Sequence, residues 1–249
     1  MPYANAVGAK IYYEEEGDGP PLVLLHGLTS NSHVAWRDAG YVEALKHDYR
    51  LILIDARGHG KSDKPHDWAS YVWPTPVNDV VAVLDKLAIP QAHILGYSMG
   101  GELGYGLAKY APDRVTTLLI GGMPAQENDF TMFEAVDGSD HGDFFAAFEA
   151  KLGVTFPAEA KERIAQNDLQ ALAAFAQTRP GLEETLPQIT VPCLLFVGEA
   201  DPWYSLVRDN ASQIANAVFV SFPGLGHPEV MRHPELVLPE VMNFLREQN

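Results

Sequence analysis

The chain is 249 residues long, enough to bury a full core, and its 47% apolar and 20% charged residues describe an ordinary globular protein. Thirty-three carboxylates against 17 Lys and Arg leave a net charge of −16 with no basic run, which argues against nucleic acid and anionic membrane as partners. The single cysteine, Cys193, lies in the apolar run VPCLLFV, so no disulfide can form within the chain and a buried structural thiol is expected.

The first twenty residues carry no apolar segment of signal-peptide length, and nothing approaches about 18 consecutive apolar residues, so a cytoplasmic location is expected. Residues 10–16, KIYYEEE, alternate and stop at Gly17-Asp18-Gly19-Pro20, the pattern of a strand and a turn. Leu22 to Leu25 reads as a central strand ending at His26-Gly27-Leu28, where the chain must leave the sheet. A helix is expected from about Val34 to His47, then a buried strand from Leu51 to Ile54. The Gly-rich turn that follows, DARGHGKS at 55–62, lacks the spacing of a nucleotide loop. From Pro76 to Leu87, Val80, Val83, Leu84 and Leu87 share one helical face, with Pro76 tolerated in the first turn.

Residues 91–110 read as a buried strand, a very tight turn and a helix. Ile94 and Leu95 close an apolar run, Gly96 to Gly100 spell G-x-S-x-G, and Leu103, Leu107 and Tyr110 follow at helical spacing. Two glycines let the backbone arms pass close together, so the Ser98 hydroxyl stands clear of the sheet edge. The Met99 N–H, at the new helix N-terminus, points where an oxyanion would form.

After another strand, Val115 to Ile120, the alternation indicates a mostly parallel sheet with helices on both faces. It breaks between 124 and 187, where helical patterns appear without a convincing strand. That segment holds 12 carboxylates against four basic groups, a net of −8, and seven of the eleven phenylalanines. Its aromatic content argues against a disordered linker. It is read as a helical cap inserted after the sixth strand, over the C-terminal edge of the sheet, with residues 1–123 and 188–249 forming the core domain. Alternation resumes with a strand at Cys193–Val197, GEADPW, a helix from about Ser205, a strand at Val218–Phe222, PGLGHPE, and a closing helix from Pro234 to Arg246.

Ser98 needs a base to attack a carbonyl at neutral pH, and the base needs a third group to fix its tautomer. Asp201 in GEADP and His227 in GLGHPE each follow a predicted strand, at the edge where open parallel sheets bind ligands, in the order Ser, Asp, His. His33, His66, His141 and His233 are read as structural or surface residues. His26, with Gly27, is read as steering its loop so that the Leu28 N–H can join that of Met99 in an oxyanion hole. His59 sits in a turn expected to hold that loop in shape.

Taken together, HGL at 26–28, DARGHGKS at 55–62, GYSMGG at 96–101, GEADP at 198–202 and GLGHPE at 224–229 make the chain resemble the α/β-hydrolase superfamily, in particular its serine esterase and lactonase branch with a small helical cap. The resemblance covers nearly the whole chain outside the cap. It implies Ser98 as nucleophile, Asp201 as acid, His227 as base, and the Leu28 and Met99 amides as oxyanion donors. It also leaves a second place for the acid, after the previous strand, where Glu127 or Asp129 could serve; Asp201 is preferred. A serine at 98 weighs against the relatives that use aspartate there, the haloalkane dehalogenases and epoxide hydrolases. Many relatives carry an aromatic residue where Leu28 stands.

The expectation is hydrolysis of carboxylic esters or lactones through an acyl-enzyme, without metal or organic cofactor. Alternatives on the same residues are a perhydrolase, a C–C bond hydrolase, and a small-ligand receptor with residual hydrolysis. The net charge of the cap points to a neutral, apolar small-molecule substrate.

Overall fold

The computed structural model describes residues 2–127, 141–177 and 179–248. Eight strands among them form one sheet: β1 (Tyr3–Ala6), β2 (Ala9–Glu16), β3 (Pro21–Leu25), β4 (Arg50–Ile54), β5 (Ala92–Tyr97), β6 (Val115–Gly121), β7 (Cys193–Gly198) and β8 (Ala217–Phe222), in the order β1-β2-β4-β3-β5-β6-β7-β8. The β1–β2 and β2–β4 pairs are antiparallel, and from β4 to β8 every pair is parallel.

β3, and β4 from Leu51 onward, are apolar at every position because both faces are covered. Val23 and Leu25 of β3 and Ile52 and Ile54 of β4 join one core, while Leu22, Leu24, Leu51 and Leu53 join the other. The first core is closed by α2 (Thr75–Lys86), α3 (Met99–Tyr110) and α7 (Tyr204–Ala211), through Val80, Leu84, Leu103, Leu107 and Val207. The second is closed by α1 (Tyr41–Leu45), α8 (His227–Arg232) and α9 (Pro234–Arg246), through Leu45, Val230, Val241 and Leu245.

Register fixes where the loops emerge. Leu25 lies opposite Gly96, Gly96 opposite Ile120, Gly121 opposite Phe196, and Gly198 opposite Phe222. The carboxyl ends of β3, β5, β7 and β8 therefore share one edge, and the chain leaves it at 26–28, 98, 199–201 and 223–227.

The connection between β6 and β7 holds α4 (His141–Leu152), α5 (Ala158–Ile164) and α6 (Leu169–Ala176). Phe144, Phe145 and Phe148 of α4 are buried, and Phe148 stacks on Phe156 with centroids 5.4 Å apart. These rings join the same core as α3 and the sheet, so α4 is anchored by apolar burial. Phe130 and Phe133 lie outside the described residues.

Three local expectations change. The helix expected over 34–47 is two pieces, a wide π-type turn at His33–Arg37 and α1, separated by Gly40 at φ +85°. A left-handed residue cannot continue a right-handed helix. Tyr3–Ala6 adds an edge strand to β2, and His227 opens a short helix with Pro228 in its first turn. Among the described residues, no helix is long and apolar enough to cross a membrane.

Candidate active site

β5 becomes α3 at Ser98, whose φ of +55° and ψ of −121° place a non-glycine residue in a strained region of backbone space. The neighbours explain how the turn is reached. A Cβ on Gly96 would stand 2.1 Å from the Gly100 carbonyl oxygen, and one on Gly100 would stand 2.0 Å from that of Leu25. The corner is then held by Ser98 N–H donating to the Gly121 carbonyl at 2.8 Å and by Gly101 N–H donating to Ser98 O at 2.7 Å. Ser98 remains partly exposed, while Met99, as first residue of α3, has an N–H with no acceptor inside the helix.

Ser98, His227 and Asp201 stand in one hydrogen-bonded line. Asp201 Oδ2 lies 2.7 Å from His227 Nδ1, and Oδ1 accepts the Trp203 N–H at 2.9 Å. An ionised carboxylate only accepts, so Nδ1 carries the proton and Nε2 presents a lone pair. The Ser98 hydroxyl donates to that Nε2 across 3.0 Å. Asp201 and His227 are buried, at 4% and 6% exposure, so water competes little for their mutual bond.

Two aromatic residues fix the imidazole. The Trp203 ring meets it edge-on at 4.9 Å, and the Tyr97 ring lies 5.3 Å away while its hydroxyl donates to the His227 carbonyl at 2.5 Å. Sequence reasoning assigned neither a role. The available signal was position alone: Tyr97 precedes the serine, and Trp203 follows Asp201 by two residues.

The 26–28 loop passes directly beside the serine, since a Cβ on Gly27 would lie 3.5 Å from that of Ser98. Its shape is tied down by two buried histidines. His26 Nε2 accepts the Ala56 N–H at 3.1 Å, so its Nδ1–H donates to the Gly27 carbonyl at 2.9 Å. His59 Nε2 lies 2.5 Å from the Leu28 carbonyl and Nδ1 lies 2.9 Å from that of Arg57. Two carbonyl partners favour the charged ring, but burial, with His26 adding to it, pulls the pKa of His59 down to about 3. Burial wins, and the ring is neutral with one N–H to donate. Burial likewise lowers the pKa of His26. Phe175 of α6 packs edge-on against His59 at 5.7 Å, linking the helical segment to this loop.

The remaining candidates fall elsewhere. His33, His66 and His233 pair with Asp38, Asp168 and Glu235 at exposed positions, and the His141 side chain lies outside the described residues. Glu127 is exposed, Asp129 lies outside the described residues, and the carboxylate on His227 is Asp201. Cys193 is buried, and burial pushes its thiol up to about 12, far from the thiolate form.

Ser98 lies between two cavities. The larger, about 390 Å³, is lined by Val34, Phe156, His227 and Met231 among others. The smaller, about 30 Å³, is lined by Met99, Met123, Phe175 and Trp203. Leu28, Phe148 and Leu152 border both. A serine, a base and a carboxylate in this arrangement can pass a proton off the hydroxyl as it attacks and return it to a departing group.

Known proteins share this framework. The chain is 27% identical to the non-heme chloroperoxidase of Streptomyces lividans, over 96% of this chain and 97% of that one. It is 28% identical to the bifunctional esterase/perhydrolase of Acinetobacter calcoaceticus, again over 96% and 97%. The crystal structure of the enol-lactonase from Burkholderia xenovorans LB400 has the same fold, with a TM-score of 0.85 and 24% identity over 98% of this chain and 100% of that one. Residues 22–240 match the alpha/beta hydrolase family, and with the sheet order and the strand-edge loops described above, the chain belongs to that family.

Proposed function

We propose that the protein is a serine hydrolase that cleaves carboxylic esters or lactones through an acyl-enzyme. The observation that carries this reading is the hydrogen-bonded line from Ser98 through His227 to Asp201, set at the mouth of a cavity. Ser98 Oγ attacks the carbonyl carbon as His227 Nε2 takes its proton. Asp201 holds the tautomer and stabilises the imidazolium. The Leu28 and Met99 amides face the developing oxyanion, with His26 and His59 holding the Leu28 loop in place. Collapse expels the alcohol, which takes the proton from His227. Water, with His227 again as base, then releases the acid.

This chemistry assigns the two cavities. His227 must reach the departing oxygen, so the leaving group occupies the larger cavity, which His227 lines. The acyl group occupies the smaller one, whose walls are mostly apolar and whose volume of about 30 Å³ suits an acetyl or propionyl chain. Residues 124–187 act as the cap, supplying Phe148, Leu152 and Phe156 to the cavity walls.

The name of the Acinetobacter calcoaceticus relative supports a second acceptor for the same acyl-enzyme, hydrogen peroxide in place of water. Steady-state turnover of acetate, butyrate and octanoate esters and a lactone, with and without peroxide, tests both readings. Turnover should fall from acetate to octanoate and vanish in Ser98→Ala. No turnover on any member would favour a ligand receptor, and activity confined to peroxide would favour the perhydrolase.

A further inference from the structure

Carboxylates outnumber basic groups 33 to 17 in this chain, so its arginines are seldom without a partner. Arg37, Arg50, Arg57, Arg114, Arg179, Arg208 and Arg246 each lie within ion-pair distance of an Asp or Glu. The two that do not, among the described residues, are Arg163 of α5 and Arg232 at the end of α8, and both line the larger cavity in front of Ser98.

Their surroundings do not cancel that charge. Asp38 is the carboxylate lining the same cavity, and it faces His33 at 3.2 Å. Arg163 also borders an adjoining cavity of about 370 Å³, which shares Thr29, Ser30 and Val34 with the first and contains Lys61 and Lys64. Asp55, which accepts the Ser32 and Lys61 N–H groups, and Glu14, which accepts from Arg37 and lies 3.7 Å from Lys61 Nζ, are its carboxylates, and the cations Arg163, Lys61 and Lys64 outnumber them. Arg163 thus stands between the leaving-group cavity and a second one in which cations outnumber carboxylates.

We propose that the larger cavity recognises a carboxylate: the substrate is an ester whose alcohol portion carries a carboxylate that Arg163 binds, with Arg232 adding to the attraction. The proposal rests on the ester-hydrolase reading and on the assignment of the leaving group to this cavity. It departs from the neutral substrate that the net charge of 124–187 suggests. That net charge is a sum over a whole segment, whereas screening at physiological salt limits each charge to about 8 Å. Arg163 belongs to the same acidic segment and faces the cavity. Both arginines are exposed, so a moderate preference is expected.

The test compares two acetate esters of nearly equal shape, those of 4-hydroxyphenylacetate and 4-hydroxyphenylacetamide. The carboxylate should be favoured in kcat/KM by roughly three- to ten-fold at low salt, mainly through KM, and the ratio should shrink as salt rises. Arg163→Gln should bring the ratio toward one, Arg232→Gln should lower it less, and Arg163→Lys should restore part of it. Arg208→Gln, which removes an equal charge at a position lining neither cavity, should leave the ratio unchanged. A ratio at or below one, or an equal loss in Arg208→Gln, overturns the carboxylate site. Efficient turnover of the amide ester with no preference for the acid would overturn this proposal alone. Failure to cleave either ester, with Ser98 inert to a fluorophosphonate, would instead remove the hydrolase reading beneath it.

Discussion

Around Ser98 the backbone itself decides what fits. Gly96 and Gly100 press against main-chain carbonyls, and the serine sits in a strained conformation between them. Across the cavity, α4 and α5 form a wall from side chains: Phe148, Leu152, Arg163 and Ile164. The first region holds the Ser98 corner in place and has no slack. The second shapes what may enter, and its side chains can change without moving the reactive line.

The sharpest way to break this contrast is at the acid. Asp201→Asn should cost about 10⁴-fold in turnover, because an amide in place of the carboxylate allows the wrong histidine tautomer. Glu127→Gln, at an exposed site, should leave turnover within a few-fold of the parent. The reverse ranking would place the acid after β6.

Stability provides the next comparison. Gly100→Ala sets a Cβ 2.0 Å from the Leu25 oxygen and 2.5 Å from its carbonyl carbon, atoms of a central strand that cannot retreat. It should lose more than about 4 kcal/mol and express mostly as insoluble protein. Leu152→Ala, buried but at the cavity wall, should lose only about 2 kcal/mol, remain folded, and accept longer acyl chains. Urea midpoints and soluble yield separate the two. Equal losses would show that the wall is as constrained as the corner.

What could be read from the sequence followed the same division. The strands, the G-x-S-x-G corner and the loops holding Asp201 and His227 obey local rules, in which an apolar run of a given length or a glycine at a given place has one main explanation. Tyr3–Ala6 escaped because YANA is short, lacks β-branched residues and is a strand only by pairing with β2. Gly40 was visible, but only its positive φ reveals that it divides a helix. The clamp of Tyr97 and Trp203 on His227 and the convergence of Arg163 and Arg232 on one cavity are products of tertiary packing between distant segments. Summing charge over 124–187 loses the orientation of each residue, which is what matters at the cavity.

The smallest expected effect concerns the histidines beneath the Leu28 loop. His59 has a folded pKa of about 3, and an unfolded histidine titrates near 6.5, so on acidification only the unfolded chain gains the proton. The stability that His59 contributes is complete above about pH 7 and declines as pH falls toward 3, by about 2 kcal/mol between pH 7 and pH 5. His26, also lowered by burial, adds in the same direction. Urea unfolding at the two pH values should show a shallower loss in His59→Asn than in the parent. An identical loss would mean that His59 takes up its proton in the folded chain as readily as in the unfolded one.

The central claim is that Ser98 is the nucleophile, and covalent trapping tests it most directly. A fluorophosphonate should add once per chain, to the peptide containing Ser98, with activity falling in step with the adduct. Ser98→Ala should take up no label and lose about 10⁴-fold or more in turnover. Label on another residue, or a Ser98→Ala protein that still turns over its ester, would contradict the account.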